Sequence, residues 1–284
     1  MSELISAFFS YAFLTRALFA GVLIALCAAL LGVSLVLKNY ALIGDGLSHV
    51  GFGALAVAAA ANLAPLTVAV PVVIAAAFLL LRLRGRGAIH GDSAIALLST
   101  SALALGVIVS SVCGMNTDLS AYLFGSILSM SSGDVALSAV LCGVVLLLYI
   151  VFYHKIFSVT FDESFARATG TRTGFYDSLL AVLTAVTVVL GMRLMGTLLI
   201  SSLIIFPSLS AMRVCRRFGS VVIISAVISV VCVVAGLAAS YALSTPAGAS
   251  VVAANVIVFA GFALAGALLA GRRRRAMLDG KSQS

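Results

Sequence analysis

The chain has 284 residues, of which 63% are hydrophobic and 9% charged, with a mean hydropathy of +1.24 and a formal net charge of +8. No water-soluble domain has this composition, and uninterrupted apolar runs of about twenty residues are long enough to cross a bilayer as helices. The same runs exclude a β-barrel, whose strands alternate apolar and polar residues over about ten positions.

In chain order, uncharged or nearly uncharged runs fall at about 17–37, 43–62, 65–81, 93–113, 135–153, 178–192, 194–212, 220–243 and 249–271. The third and sixth are short, and Arg193 alone separates the sixth from the seventh. The pattern predicts an all-α polytopic membrane protein with eight to nine transmembrane helices, forming one membrane domain over residues 1–284. The N-terminal stretch lacks a basic leader and its apolar run is long enough to span, so it reads as a span and not as a cleaved signal peptide. Cys27, Cys113, Cys142, Cys215 and Cys232 lie in or beside apolar runs with no C-x-x-C pair. They read as small hydrophobes and not as zinc ligands.

Orientation follows from the basic residues. With the N-terminus outside, the inner segments hold Lys38, Arg82, Arg84, Arg86, Lys155, Arg167, Arg172, Arg213, Arg216, Arg217, Arg272 to Arg275 and Lys281, 15 of the 17 basic residues. Only Arg16 and Arg193 fall outside. The positive-inside rule therefore puts the C-terminus in the cytoplasm. Topology accounts for the net charge, and no nucleic-acid partner is needed to explain it.

Three connecting segments exceed tight turns. "CGMNTDLSAYLFGSILSMSSGD" (113–134) is placed outside, and Leu119 to Met130 is apolar enough to lie back in the membrane as a short or re-entrant helix where protein buries its ends. "YHKIFSVTFDESFARATGTRTGFYD" (153–177) is placed inside; Asp162 is suited to cap a short helix and Gly170 to end it. The third is the basic tail, 272–284, read as a stop-transfer anchor with a frayed end.

Polar groups inside the runs carry the functional signal. Of nine acids, Asp45 alone has long apolar sequence on both sides, and of three histidines only His49 lies deep in a run. Four residues apart on a helix, they share one face. An ionisable group in a span is costly and faces a bundle interior or an aqueous cavity. Carboxylate plus imidazole suits Zn²⁺, Mn²⁺ or Fe²⁺. On spacing alone, three readings stand: a metal path, a structural pair with Asp45 as a helix cap, and a proton relay. Gly44, Gly46, Gly51 and Gly53 let neighbouring backbones approach. In "GTLLISSLIIFPSLSAMR" (196–213), Ser201, Ser202, Ser208 and Pro207 are suited to leave free carbonyls facing a cavity.

No G-x-x-x-x-G-K-[ST] occurs, so the chain carries no P-loop. One embedded acid is few for a gradient-driven carrier, which favours a separate ATPase. "LKNYALIGDGLSHVGFGALA" resembles the signature of permease subunits of bacterial zinc/manganese/iron ABC importers. "HGDSAIALLSTSALALGV", "AYLFGSILSMSSGDV", "FDESFARATG", "GTLLISSLIIFPSLSAM" and "TPAGASVV" are similar to that family in the same order and cover most of the chain. One departure is "HVGFGA", where the family pattern runs closer to HAxLPG; both candidate ligands are kept.

The resemblance implies a type II ABC-importer-like permease in the bacterial cell membrane that is not itself an enzyme. It implies a homodimer, a cytoplasmic ABC ATPase on each subunit, and an extracytoplasmic metal-binding protein. Asp45 and His49 would line the metal path. The loop at about 154–177 would carry the ATPase-coupling helix, with Phe161, Asp162, Glu163, Phe165 and Arg167 at the contact. No cofactor is held permanently; the cargo is a divalent metal, zinc first, with manganese and iron behind it. The other expectations are a permease for a larger chelate of the siderophore or cobalamin type, a gradient-driven metal carrier and a non-transporting scaffold.

Overall fold

The computed structural model describes residues 12–85, 91–114, 125 and 132–281, and those residues form helices with no strand among them. In order they are α1 (Ala12–Leu37), α2 (Ile43–Ala60), α3 (Pro65–Gly85), α4 (Gly91–Val112), α5 (Ser132–Val151), α6 (Tyr153–Phe161), α7 (Glu163–Ala168), α8 (Thr173–Met195), α9 (Thr197–Val214), α10 (Phe218–Leu243) and α11 (Ala247–Lys281). A bilayer offers no partner for free backbone N–H and C=O groups, so apolar runs of this length close their hydrogen bonds within one helix.

Eight helices are long and apolar enough to cross a membrane alone, and Val135–Val151 with Tyr153–Phe161 make a ninth, bent by 68° between them. All nine expected runs therefore become helix. Several differ in extent; the first begins at Ala12, five residues before the expected start, with Arg16 inside it. The sixth run begins five residues earlier than expected, at Thr173, because Tyr176 and Asp177 continue the helix beyond the apolar stretch. The last helix runs on to Lys281 where a frayed tail was expected, since Arg, Ala, Met and Leu are good helix formers and no proline interrupts them.

The tight turns are closed by residues in the left-handed region. Asn39 (φ 58°) ends α1: its N–H bonds the Val36 carbonyl, and the Tyr40 N–H reaches back to the Leu35 carbonyl at 2.8 Å. Gly170 (φ 81°) ends α7 in the same way, with the Thr171 N–H on the Ala166 carbonyl at 2.9 Å. This double closure pairs the last carbonyls of a helix and fixes the exit direction of the chain.

α1, α2, α8 and α9 are the inner helices, whereas α4 and α11 bury little of themselves. Lys38 pairs with Asp177 of α8, and Tyr153 of α6 packs on Phe218 of α10 at 5.7 Å. A side chain at Gly266 of α11 would meet the Arg213 carbonyl of α9. These contacts gather the basic turns at one end of the bundle, in the alternation that the charge pattern requires. Most of 113–134, including the expected re-entrant stretch, lies outside the described residues. Gly125 within it has φ 74°, and a Cβ there would stand 2.3 Å from the Met195 carbonyl carbon, so its backbone lies against the break between α8 and α9.

Candidate functional site

The site helix is α2, and glycines set its depth. A Cβ on Gly44 would meet Ile204 of α9 at 2.7 Å, and one on Gly46 would meet Ile95 of α4 at 2.5 Å. One on Gly51 would meet Met192 of α8 at 2.4 Å, and one on Gly53 the Ala102 carbonyl oxygen of α4 at 2.6 Å. Hydrogen at these positions lets three helices close on α2. The face left open carries Asp45 and His49.

Asp45 stands in the first turn of α2 and His49 one turn further in. The N-cap is Leu42 and no side chain caps the helix, so Asp45 is not a cap and its carboxylate is directed elsewhere. Asp45 Oδ2 lies 3.6 Å from His49 Nε2, with the Asp45 side chain 48% exposed and His49 22% exposed. That distance is long for a hydrogen bond and within reach of an ion pair, so the two side chains interact directly. It fits two ligands of one ion: donors about 2.1 Å from a tetrahedral metal stand about 3.4 Å apart. Ser201 of α9 donates from Oγ to Asp45 Oδ1 at 3.4 Å, and the Ser48 hydroxyl bonds the Asp45 carbonyl at 2.7 Å.

The other polar residues of α9 do not join this pair. Ser202 returns its hydroxyl to the Leu199 carbonyl at 2.9 Å, and Ser208 bonds the Ile204 carbonyl at 3.0 Å while buried against Ser225. Pro207 lies within the helix and withholds the N–H that the Leu203 carbonyl would accept. Among the described residues no three His, Cys, Asp or Glu side chains gather to hold an ion. A metal at Asp45 and His49 therefore needs further ligands, such as water or the Ser201 hydroxyl. Such an open set allows release. The five cysteines are free thiols.

The second group of expected residues forms one exposed knob at the basic end. Asp162 accepts the Phe165 N–H at 2.9 Å and caps α7. Glu163 and Arg167 pair across one helical turn at 2.7 Å, and Arg167 also reaches the Thr173 hydroxyl at 3.4 Å. Phe161 and Phe165 are 75% and 64% exposed, large apolar faces of the kind a protein partner covers. The sequence reading missed Phe157 and Phe175, which extend this surface: Phe157 packs on Phe161 at 5.8 Å, and Phe175 stands against Phe152 at 6.5 Å. It also missed Lys38 and Asp177, read there as loop charges. Aromatic density in 152–176 was the available signal for the first pair; the second had none.

The model of the ABC 3 transport family matches residues 10–265. The chain belongs to that family. It is 29% identical over 259 residues to the manganese import system permease protein ScaB of Streptococcus gordonii, covering 91% of this chain and 93% of ScaB. It is 30% identical over 244 residues to the high-affinity zinc uptake system membrane protein ZnuB of Haemophilus influenzae, covering 86% of this chain and 94% of ZnuB. Among solved structures it is similar to PsaBC from Streptococcus pneumoniae in complex with Fab, with a TM-score of 0.83 and 30% identity over 92% of this chain and 94% of that one. As an ABC 3 member, the chain is a multi-pass permease subunit of a metal-ion ABC transporter, and a separate subunit hydrolyses ATP. This removes the gradient-driven carrier and the scaffold.

Proposed function

We propose that this chain is the membrane path of an ATP-driven importer for zinc or manganese, and that Asp45 and His49 hold the ion during its passage. The observation that carries the reading is a half-exposed carboxylate beside an imidazole within a membrane helix. A charged aspartate turned to lipid within a span is costly, and such groups face a bundle interior or a water-filled cavity. The open side of α2 therefore faces an aqueous path or a second permease copy. Imidazole and carboxylate suit zinc, the cargo first expected; the Ser201 hydroxyl adds an oxygen donor, which suits manganese as well. In this reading the N-terminus is outside, and the end of α6 with α7 docks the cytoplasmic ATPase through Phe161, Asp162, Glu163, Phe165 and Arg167. An extracytoplasmic binding protein delivers the metal.

The test is uptake of radiolabelled zinc and manganese in cells stripped of their own high-affinity import. The permease is supplied with its ATPase and binding protein, intact or as His49→Ala or Asp45→Ala. Either variant loses more uptake than the about 10–100-fold that removal of an outer-shell partner costs, while protein in the membrane and bound ATPase stay constant. Unchanged uptake in both variants discards the site. No uptake of either metal by the intact chain discards the cargo and favours a chelate.

A further inference from the structure

Lys38 and Asp177 join the turn before the site helix to the start of α8. Lys38 closes α1, and its side chain, 10% exposed, meets the Asp177 carboxylate, 22% exposed. On the Lys38 side the chain is stiff. Asn39 is held in the left-handed region, the Tyr40 N–H bonds Leu35, and the Ile43 N–H bonds the Tyr40 carbonyl at 3.0 Å. Asp45 follows two residues later. On the Asp177 side the chain is equally stiff: the Gly170 closure binds α7 to the turn, and Arg167 ties α7 to Thr173 at the start of α8. α8 then continues to Met192, which lies against Gly51 of α2. A push on α7 thus reaches α2 at two levels, through the ion pair at its base and through Met192 higher up.

Resting on the functional reading above, we propose that the Lys38–Asp177 pair is a positioning pair that transmits movement of α7 to the Asp45–His49 helix. A largely buried ion pair suits this task. Breaking it leaves a charge without its partner in a poorly solvated place, so the two elements move together. Neither residue is one of the proposed metal ligands or ATPase contacts, and the pair shares a cavity with Glu163 of the knob. Its loss uncouples site and knob without disabling either.

The test uses the complete transporter, permease with ATPase and binding protein, in proteoliposomes. ATP hydrolysis and uptake of zinc and manganese are measured together. Lys38→Gln and Asp177→Asn are expected to lower metal moved per ATP by about tenfold, the scale of one disrupted partly buried pair, with basal hydrolysis and bound ATPase unchanged. Lys38→Arg, which keeps the charge, retains coupling. The exchange Lys38→Asp with Asp177→Lys recovers most of it, which a role in stability of either residue alone would not give. An unchanged ratio in both single variants overturns the proposal, as does an exchange no better than its singles when all assemble. If the wild-type complex moves neither metal, the functional reading itself fails and this inference with it.

Discussion

Gly51 and Gly53 offer a sharp test of how α2 is held, because the same added methyl meets different neighbours two residues apart. At Gly53 it would stand 2.6 Å from the Ala102 carbonyl oxygen and 3.4 Å from its carbon. A carbon tolerates a carbonyl oxygen at about 3.3 Å, so the shortfall is about 0.7 Å, and backbone must yield it. A Cβ added at Gly106 of α4 would in turn stand 2.9 Å from the Gly53 Cα, so the two helices are close on this side. At Gly51 the methyl meets the Met192 Cε and Sδ at 2.4 and 2.6 Å, the far end of a side chain with three rotatable bonds. Both changes gain about 0.5–1 kcal/mol of helix propensity. Overpacking a fixed neighbour costs about 1–3 kcal/mol, and a movable one less. Gly53→Ala should therefore come out about 1–2 kcal/mol less stable than Gly51→Ala. Thermal unfolding of both in the same detergent, followed by tryptophan-free near-ultraviolet signal or loss of monodisperse protein, reads the difference. If Gly53→Ala proves as stable as Gly51→Ala, the close approach of α2 and α4 is refuted.

Two further outcomes follow from the same geometry. Asp162→Ala removes the cap of α7 and should cost that short helix about 1 kcal/mol. The expected result is weaker ATPase binding in a pull-down, restored by Asp162→Ser, with the membrane bundle unaltered. Ser201→Ala removes a long hydroxyl contact to Asp45 and is expected to weaken metal uptake by less than His49→Ala, shifting the apparent KM of transport more than its maximal rate. An effect as large as that of His49→Ala would make Ser201 a ligand in its own right.

The sequence by itself determined the class, a count of eight to nine spans and which turns share an end. Bilayer thickness and backbone satisfaction leave an apolar run of twenty residues no other state, and the bias of lysine and arginine is a one-dimensional signal. It also located Asp45 and His49, because spacing of four is a property of one helix, and Asp162 with Gly170, because capping is local. Tertiary structure decided what lies between helices. It showed that Asp45 is not a cap, that Ser201 reaches the carboxylate while Ser202 and Ser208 turn back to their own backbone, and that Lys38 meets Asp177. A serine eight residues into any of several apolar runs has the same local sequence whichever way it faces. Lys38 and Asp177 are 139 positions apart, and only the packing of α1 on α8 brings them together.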